Sequence, residues 1–284
     1  MKRRMLWIWL ALGLVAAAIL FLIPGGKPQT LELVQEFQLQ PLIKLPAIGP
    51  VDFSITKPVV YLWLAVGVIV VFAIIIARIL NMRPGRLQEL LEFLYSLAQD
   101  GIVRSTMTTG ADIWFPYIGS AFFFILVSNL LGLIPLPFGE NHQLSFYAAT
   151  GNLNVTIGLA LLTFVFTHYA GIRKKGVVGY FKSWSISAAP QGLRQVMYFM
   201  HVISELFQLV SLSVRLFANM LAGHAILAVF YAMALVFQSY LIAVVLQGGS
   251  VVLYLFELFI AFIQAFIFAI LSAVYIGGAL EEGH

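Results

Sequence analysis

An arginine in the middle of a long apolar stretch is the residue of this sequence with the clearest chemical consequence. Arg215 stands in Ser211-Leu-Ser-Val-Arg-Leu-Phe-Ala-Asn-Met-Leu-Ala-Gly-His224. An arginine keeps its charge and costs at least ~2.5–3.5 kcal/mol at the centre of a membrane helix, so it needs a carboxylate or a water-filled groove. The alternative to a functional role is a structural ion pair with Glu205 or Glu257 of the same chain.

Further polar residues share the helical face of Arg215. At about 100° per residue, four of them lie within about 40° of it: His201, Gln208, Ser211 and Asn219. His224 points to the opposite side, so the helix presents a cation to one neighbour and a titratable imidazole to another. This pattern is typical of a helix between two aqueous paths.

A second polar stripe lies on the last apolar segment, on the residues Ser250, Tyr254, Glu257, Gln264 and Tyr275. A carboxylate in a membrane span is a candidate proton site, and an imidazole changes charge near neutral pH. Glu257 and His224 could therefore pass protons between them. The alternative is a hydrogen-bonded Glu–His pair that has no role in transport.

The composition places these residues in a membrane. Of 284 residues, 61% are hydrophobic and only 10% are charged, whereas a soluble domain carries about 25% charged residues. This excludes an ordinary soluble enzyme and a nucleic-acid-binding module. The sequence has no cysteine and no phosphate-binding loop or H-E-x-x-H motif, so we expect no cofactor and no metal site.

Apolar runs and turn residues predict an all-α membrane protein with about five to six membrane helices. Residues 1–26 are predicted to form a signal or anchor segment and residues 27–58 an extracytoplasmic surface segment. Residues 59–284 form a single integral membrane domain. Its helices are predicted at 59–80, 84–104, 113–136, 153–171, 195–237 and 240–280.

Two kinds of helix stand out among these. The helix over 84–104 is amphipathic, so we expect it to lie along the membrane interface. The last two are up to about twice as long as a hydrocarbon core of ~30 Å requires, and the second is weakened only at Gly248-Gly249. Each is either two short spans or one long, strongly tilted helix, and the missing turn residues favour the tilted helix.

The basic residues predict an orientation. With the N-terminus in the cytoplasm, most of the 16 lysines and arginines fall inside, and only Lys27, Lys44 and Lys57 fall outside. This satisfies the positive-inside rule. If the first segment is not cleaved, both termini are cytoplasmic.

The sequence resembles subunit a of the F-type ATP synthase membrane sector over roughly residues 55–282. The strongest match is the Ser211–His224 segment quoted above, joined by Gln264-Ala-Phe-Ile-Phe-Ala-Ile-Leu271 and Tyr275-Ile-Gly-Gly-Ala-Leu-Glu-Glu282. Ser128-Asn-Leu-Leu-Gly-Leu-Ile-Pro135 and Asn152-Leu-Asn-Val-Thr156 extend it towards the middle of the chain.

The resemblance implies roles for individual residues. Arg215 matches the arginine that faces a rotating ring of c subunits, each with one membrane carboxylate, and Asn219 and Gln264 match further motif positions. His224 and Glu257 match two positions that line the half-channel from the outer side. Polar residues that could line the paths as well are His201, Glu205, Gln208, Ser211, Ser250, Tyr254 and Tyr275.

Two departures from the family pattern stand out. Asn152 replaces an aspartate found in many members, which puts the contribution of that loop to proton uptake in doubt. Gln208 and Leu209 replace an Arg-Pro pair before the Ser-Leu run, which could alter the start of the long helix.

The implied function is that of a stator subunit whose two offset half-channels carry protons to and from the c-ring carboxylates. It is no enzyme by itself and binds no nucleic acid. The implied partners are the c-ring, b-type peripheral stalk subunits, the rest of the ATP synthase and the lipid of the bacterial cytoplasmic membrane. The residues leave open whether the ion is H⁺ or Na⁺, and which residues line the cytoplasmic half-channel.

Two other functions compete with this one. In a secondary transporter Arg215 would bind an anionic substrate, although internal repeats and interrupted helices, which are typical of transporters, do not occur in the sequence. In a membrane scaffold an Arg215–Glu257 pair would be purely structural.

Overall fold

The computed structural model describes residues 41–43, 54–79, 85–134, 148–184, 190–236 and 240–281. A short antiparallel pair of strands, β1 (Pro41–Ile43) and β2 (Ile55–Thr56), precedes the helices. The α-helices of the described residues are α1 (Lys57–Ile79), α2 (Arg86–Ser96), α3 (Ala111–Leu133), α4 (Leu153–Lys175), α5 (Val177–Lys182), α6 (Gln191–Val236) and α7 (Tyr240–Leu280). The predicted segment 1–26 lies outside the described residues, as does most of 27–58.

The predicted fold class, an all-helical membrane protein, is confirmed. Five helices of the described part, α1, α3, α4, α6 and α7, are long and apolar enough to cross a membrane. Their outer faces are covered with exposed aliphatic and aromatic side chains, such as Val244, Val252 and Phe256. Lipid tolerates such a surface, whereas water penalises it in proportion to its area.

The two C-terminal helices are the longest elements of the chain. Helix α6 has 46 residues and α7 has 41, so at 1.5 Å per residue they measure about 69 and about 62 Å. Each is a single helix rather than two short spans: neither contains a proline, and the backbone stays helical through Gly223 and Gly248-Gly249. Pro190 stands directly before α6, where a proline removes no helical hydrogen bond.

The predicted interfacial helix has a different geometry in its second half. Helix α2 is followed without a break by a π-helical segment, Leu97–Arg104. A π-turn contains an additional residue, and this lets Ala98, Ile102 and Val103 all point into the protein. The exposed Arg104 then bonds to Asp100 and Asp112, at 2.9 and 3.0 Å, at the corner that leads into α3.

The short helix α5 and the two strands were not predicted. The sequence around α5 is rich in glycine and serine and favours a loop. The helix is held because the ring of Tyr180 lies directly over Gly171 of α4, where any side chain would overlap it. Tyr180 is consequently buried.

Helix α7 lies at the centre of the bundle and packs against α3, α4 and α6. Four alanines recur at every fourth position of its inner face, and none is exposed: Ala261, Ala265, Ala269 and Ala273. Small residues at this spacing let neighbouring helices approach closely. The larger side chains of Phe122, Ile125 and Phe268 fill the remaining space of the core.

The close approach of Gly132, at the end of α3, to Ala148 can be tested by a substitution. A Cβ atom at Gly132 would lie 2.7 Å from the Cα and 2.8 Å from the nitrogen of Ala148. Because the obstacle is backbone, Gly132→Ala should force a shift and cost about 1–3 kcal/mol of stability. The thermal unfolding midpoint of the purified protein in detergent measures this.

Gly158→Ala is the matched control, because Gly158 also lies in a membrane helix and a Cβ there meets nothing within 4 Å. Equal unfolding midpoints for the two variants would contradict the close packing of Gly132 on Ala148.

Candidate functional site

Arg215 lies on the exposed face of α6 and is not neutralised by the described part of its own chain. No carboxylate of the described residues comes within 4.0 Å of its guanidinium group. Glu205 instead lies 3.3 Å from His201, and Glu257 lies 3.7 Å from His224. The structural alternative for Arg215, an ion pair with Glu205 or Glu257, is therefore wrong.

A buried carboxylate faces His224 on the far side of Arg215. Only 3% of Glu257 is exposed, and its Oε1 lies 3.7 Å from His224 Nδ1, too far for a hydrogen bond. Neither oxygen of Glu257 has a hydrogen-bond partner among the described residues, and His224 Nε2 has none either. The two side chains are thus neighbours without being the mutually bonded pair of the structural alternative.

Gly223 provides the space for this carboxylate. A Cβ atom at this position would lie 2.8 Å from the carboxyl carbon of Glu257 and 3.1 Å from its Cγ. The glycine next to His224 thereby lets α7 bring its acidic side chain against the backbone of α6.

Asn219 and Gln264 join the two long helices one turn beyond Arg215. Asn219 Nδ2 donates to Gln264 Oε1 at 2.6 Å. Gln264 is 1% exposed, and its Nε2 has no hydrogen-bond partner among the described residues. An amide donor therefore remains free close to the arginine.

Two other predicted residues, Tyr254 and Ser250, form hydrogen bonds within the helix bundle, and a third, Ser211, forms none among the described residues. The hydroxyl of Tyr254 donates to the carbonyl of Leu133 at 2.6 Å and ties α7 to the end of α3. Ser250 donates to a carbonyl of its own helix, and Ser211 is exposed on α6.

A buried polar bridge beside this cluster was not predicted from the sequence. Asn129 Nδ2 donates to the carbonyl of Ala261 at 3.1 Å, and Thr150 donates to Asn129 Oδ1 at 2.6 Å. Asn129 and Thr150 are fully buried. The available signal was an asparagine inside an apolar helix, because such a residue needs a partner. Asn152, by contrast, accepts from the backbone of Asn154 and caps α4.

The remaining predicted residues lie around a cavity on the other side of Arg215, which we call the vestibule. Its volume is about 920 Å³, and His201, Glu205, Gln208 and Tyr275 line it. A narrow cleft shares Glu205, Gln208 and Tyr275 with the vestibule and extends between α4 and α6 to Thr163.

The two polar regions lie at different heights along α6. Gln208 precedes Arg215 by two helical turns, or about 10 Å, and His224 follows it by about 13 Å. The arginine therefore stands between a vestibule and a buried carboxylate, and neither region reaches past it on this helix.

The fold and the site together define an integral membrane protein with charged and titratable groups inside its spans. Such groups mark ion paths in membrane proteins. The comparisons with known proteins identify the family. The sequence profile of the ATP synthase A chain matches residues 59–277, and the chain belongs to this family.

Relatives agree with this assignment over nearly the whole chain. The ATP synthase subunit a of Rubrobacter xylanophilus is 41% identical over 241 residues, which cover 84% of this chain and 89% of the relative. The subunit a of Rhodopseudomonas palustris strain BisB5 is 37% identical and is covered over 98% of its length, with 88% of this chain. The subunit a of Pelodictyon phaeoclathratiforme is 36% identical over 86% of this chain and 71% of the relative.

The close contact between Gly223 and Glu257 can be tested by adding one methyl group. Gly223→Ala should displace the carboxylate and lower ATP-driven proton transport by the assembled ATP synthase several-fold. Quenching of a pH-sensitive dye in vesicles measures the transport.

Gly248→Ala serves as its control, since Gly248 lies on α7 and a Cβ there meets nothing within 4 Å. Transport by Gly223→Ala at the level of Gly248→Ala would show that the position of the carboxylate is unimportant.

Proposed function

We propose that this chain is the stator subunit that carries protons to and from the carboxylates of a rotating c-ring through two offset half-channels. Its place is the bacterial cytoplasmic membrane, beside the ring and the b-type peripheral stalk subunits. It binds no nucleotide itself, and the rotation of the ring links it to ATP synthesis. The observation that carries the proposal is Arg215, exposed between two separate polar regions and without an ion-pair partner among the described residues.

Arg215 supplies the electrostatic step. A positive charge beside a ring carboxylate favours its ionised form, so the carboxylate releases its proton where it meets the arginine. The same charge repels a proton that would otherwise cross directly from one half-channel to the other. The exposed position of Arg215 on α6 is the position from which a neighbouring ring can be reached.

The first half-channel leads past His224, Glu257, Gln264 and Asn219. Glu257 and His224 are the titratable members, and their separation of 3.7 Å leaves each able to bond to water or to a proton carrier. The Nε2 group of Gln264, which has no partner among the described residues, orients such a carrier close to the arginine. A proton taken up here neutralises a ring carboxylate, which can then face lipid.

The second half-channel is the vestibule. It approaches Arg215 from the opposite side and ends about two turns away from it, at Gln208. The offset forces each proton to travel with the ring between the two half-channels. Each charge moved across the membrane supplies about 2.3 kcal/mol per 100 mV, and the ring accumulates several such steps.

The two competing functions are less well supported. In a secondary transporter the arginine should line the substrate cavity, yet Arg215 is absent from the described lining of the vestibule. A scaffold would need a structural Arg215–Glu257 pair, whereas Glu257 lies beside His224 and not beside Arg215.

Arg215→Lys tests the proposal. A lysine keeps the charge but loses the planar, delocalised fork and changes its position, so we expect the complex to assemble and to lose ATP-driven proton transport. The measurement compares dye quenching with ATP hydrolysis by the same purified ATP synthase in liposomes.

Arg194→Lys provides the same exchange at an exposed position near the start of α6 and should transport normally. Normal coupling in Arg215→Lys would refute the proposed function, and substrate-dependent flux through the isolated chain would support the transporter.

Glu257→Gln tests the first half-channel. The amide preserves shape but cannot take up and release a proton, so proton flux should fall several-fold while the complex still assembles. Ring-dependent proton flux through the membrane sector, measured in vesicles under a fixed potential, reports this. Unchanged flux would remove Glu257 from the proton path.

A further inference from the structure

The position of the Glu257 carboxyl group depends on the backbone that carries it. Neither of its oxygens has a hydrogen-bond partner among the described residues, so no bond of its own holds the group in place. Gly223 leaves little room on the side of α6, since a Cβ atom there would lie 2.8 Å from the carboxyl carbon. A small rotation or shift of α7 would therefore move Glu257 relative to His224.

Helix α3 holds α7 on both sides of Glu257. One turn before the glutamate, the hydroxyl of Tyr254 donates to the carbonyl of Leu133 at 2.6 Å. One turn after it, the carbonyl of Ala261 accepts from Asn129 at 3.1 Å. Residues at positions i, i+3 and i+7 share one face of a helix, so Tyr254, Glu257 and Ala261 lie on the same side of α7. The two bonds, which we call the α3 clamp, bracket the turn that carries the carboxylate.

The acceptor of the Tyr254 bond is a backbone group at a helix end. Leu133 is the last residue of α3, and the last four carbonyls of a helix have no partner within it. The tyrosine hydroxyl supplies a partner from α7. A backbone acceptor cannot turn away as a side chain can, and the close packing of Gly132 on Ala148 holds this end of α3. The bond therefore ties the turn before Glu257 to a fixed point.

The ring of Tyr254 is held separately from its hydroxyl. It packs against a small buried cluster contributed by α3, α6, α7 and the segment before α4, namely Leu133, Ala148, Met220 and Ala261. A phenylalanine at position 254 would keep this packing and lose only the hydrogen bond. The contribution of the hydroxyl can thus be measured by itself.

The outer face of α7 gives Glu257 no support. More than half of the surface of Leu255, Phe256 and Phe259 is exposed, so the described residues leave α7 uncovered on that side. The bonds on the inner side consequently have to keep the helix in register with its neighbours.

We propose that Tyr254 is a positioning residue for Glu257, and that its bond to the end of α3 keeps the carboxylate 3.7 Å from Nδ1 of His224. The tyrosine itself takes up no proton. The inference rests on the proposed function, in which Glu257 takes up and releases protons in the first half-channel.

The distance between Glu257 and His224 explains why such a tether matters. A proton passes between two groups within hydrogen-bond reach, roughly 2.6–3.2 Å, or through one water. The pair lies just beyond direct reach, so a modest approach brings the two groups together and a modest retreat separates them. A displacement of about 1 Å can cost a large part of the rate of a reaction that depends on position.

A double-mutant cycle in the complete ATP synthase tests the inference. ATP-driven proton transport in liposomes is compared for the wild type, Tyr254→Phe, Glu257→Gln and the double variant. Tyr254→Phe should lower transport several-fold in the wild-type background. In the Glu257→Gln background it should change the remaining transport by less than about twofold, the usual margin of additivity, because no carboxylate remains to be positioned.

Tyr117→Phe is the matched control. The hydroxyls of Tyr117 and Thr163 share a hydrogen bond of 2.7 Å that joins α3 to α4. This exchange removes the same chemical group and an interhelical bond of nearly the same length, away from the turn of Glu257. It should leave proton transport unchanged, and equal subunit content confirms that each variant assembles.

The outcomes separate the inference from the proposed function. Wild-type transport by Tyr254→Phe would overturn the inference, and so would an equal fold-loss in both backgrounds, because the hydroxyl would then act independently of Glu257. A loss in Tyr117→Phe as large as in Tyr254→Phe would also overturn it, since any loosened helix contact would have the same effect. If Arg215→Lys still abolishes coupling in these cases, the stator function stands and only the role of Tyr254 is wrong.

Discussion

Arg215 carries a permanent positive charge that the described part of its own chain does not neutralise. Apolar side chains stand beside it on the exposed part of α6, where about half of the surface of Val210 and Val214 is exposed. A lone cation on such a face is costly in lipid, so the surface is complete only when an acidic partner covers it. In the proposed function the carboxylates of a ring supply that partner one after another, because a permanently bound acid would stop the cycle.

The rest of the bundle keeps this arginine between two regions that do not meet. Helix α7 can lie close to α6 because alanines line its inner face and because Gly223 makes room for Glu257. The bond from Asn219 to Gln264 fixes the two helices beside Arg215, and the Asn129–Thr150 bridge ties α7 to α3 near the buried carboxylate. A looser packing would open a direct aqueous route past the arginine and dissipate the gradient.

The sequence revealed much of this arrangement, because the strongest signals are local. A charge within an apolar run identified Arg215, and the absence of turn residues predicted the length of α6 and α7. Features that depend on the rotation of one helix against another were not accessible. A rotation of about 100° per residue places Asn219 and His224 on different sides of α6. In the structure both face α7. Helix α5 was missed because its stability comes from the contact of Tyr180 with Gly171, which lie nine residues apart across a turn.

The location of the unsatisfied polar atoms supports a functional origin for the cluster around Glu257. Buried polar groups in proteins are nearly always hydrogen-bonded, and leaving one unsatisfied costs roughly 1–3 kcal/mol. Of the six buried side-chain atoms without a partner in the described residues, four belong to His224, Glu257 and Gln264. In the proposed function each of these groups bonds to a passing proton carrier, whereas a permanent partner within the protein would hold the proton in place.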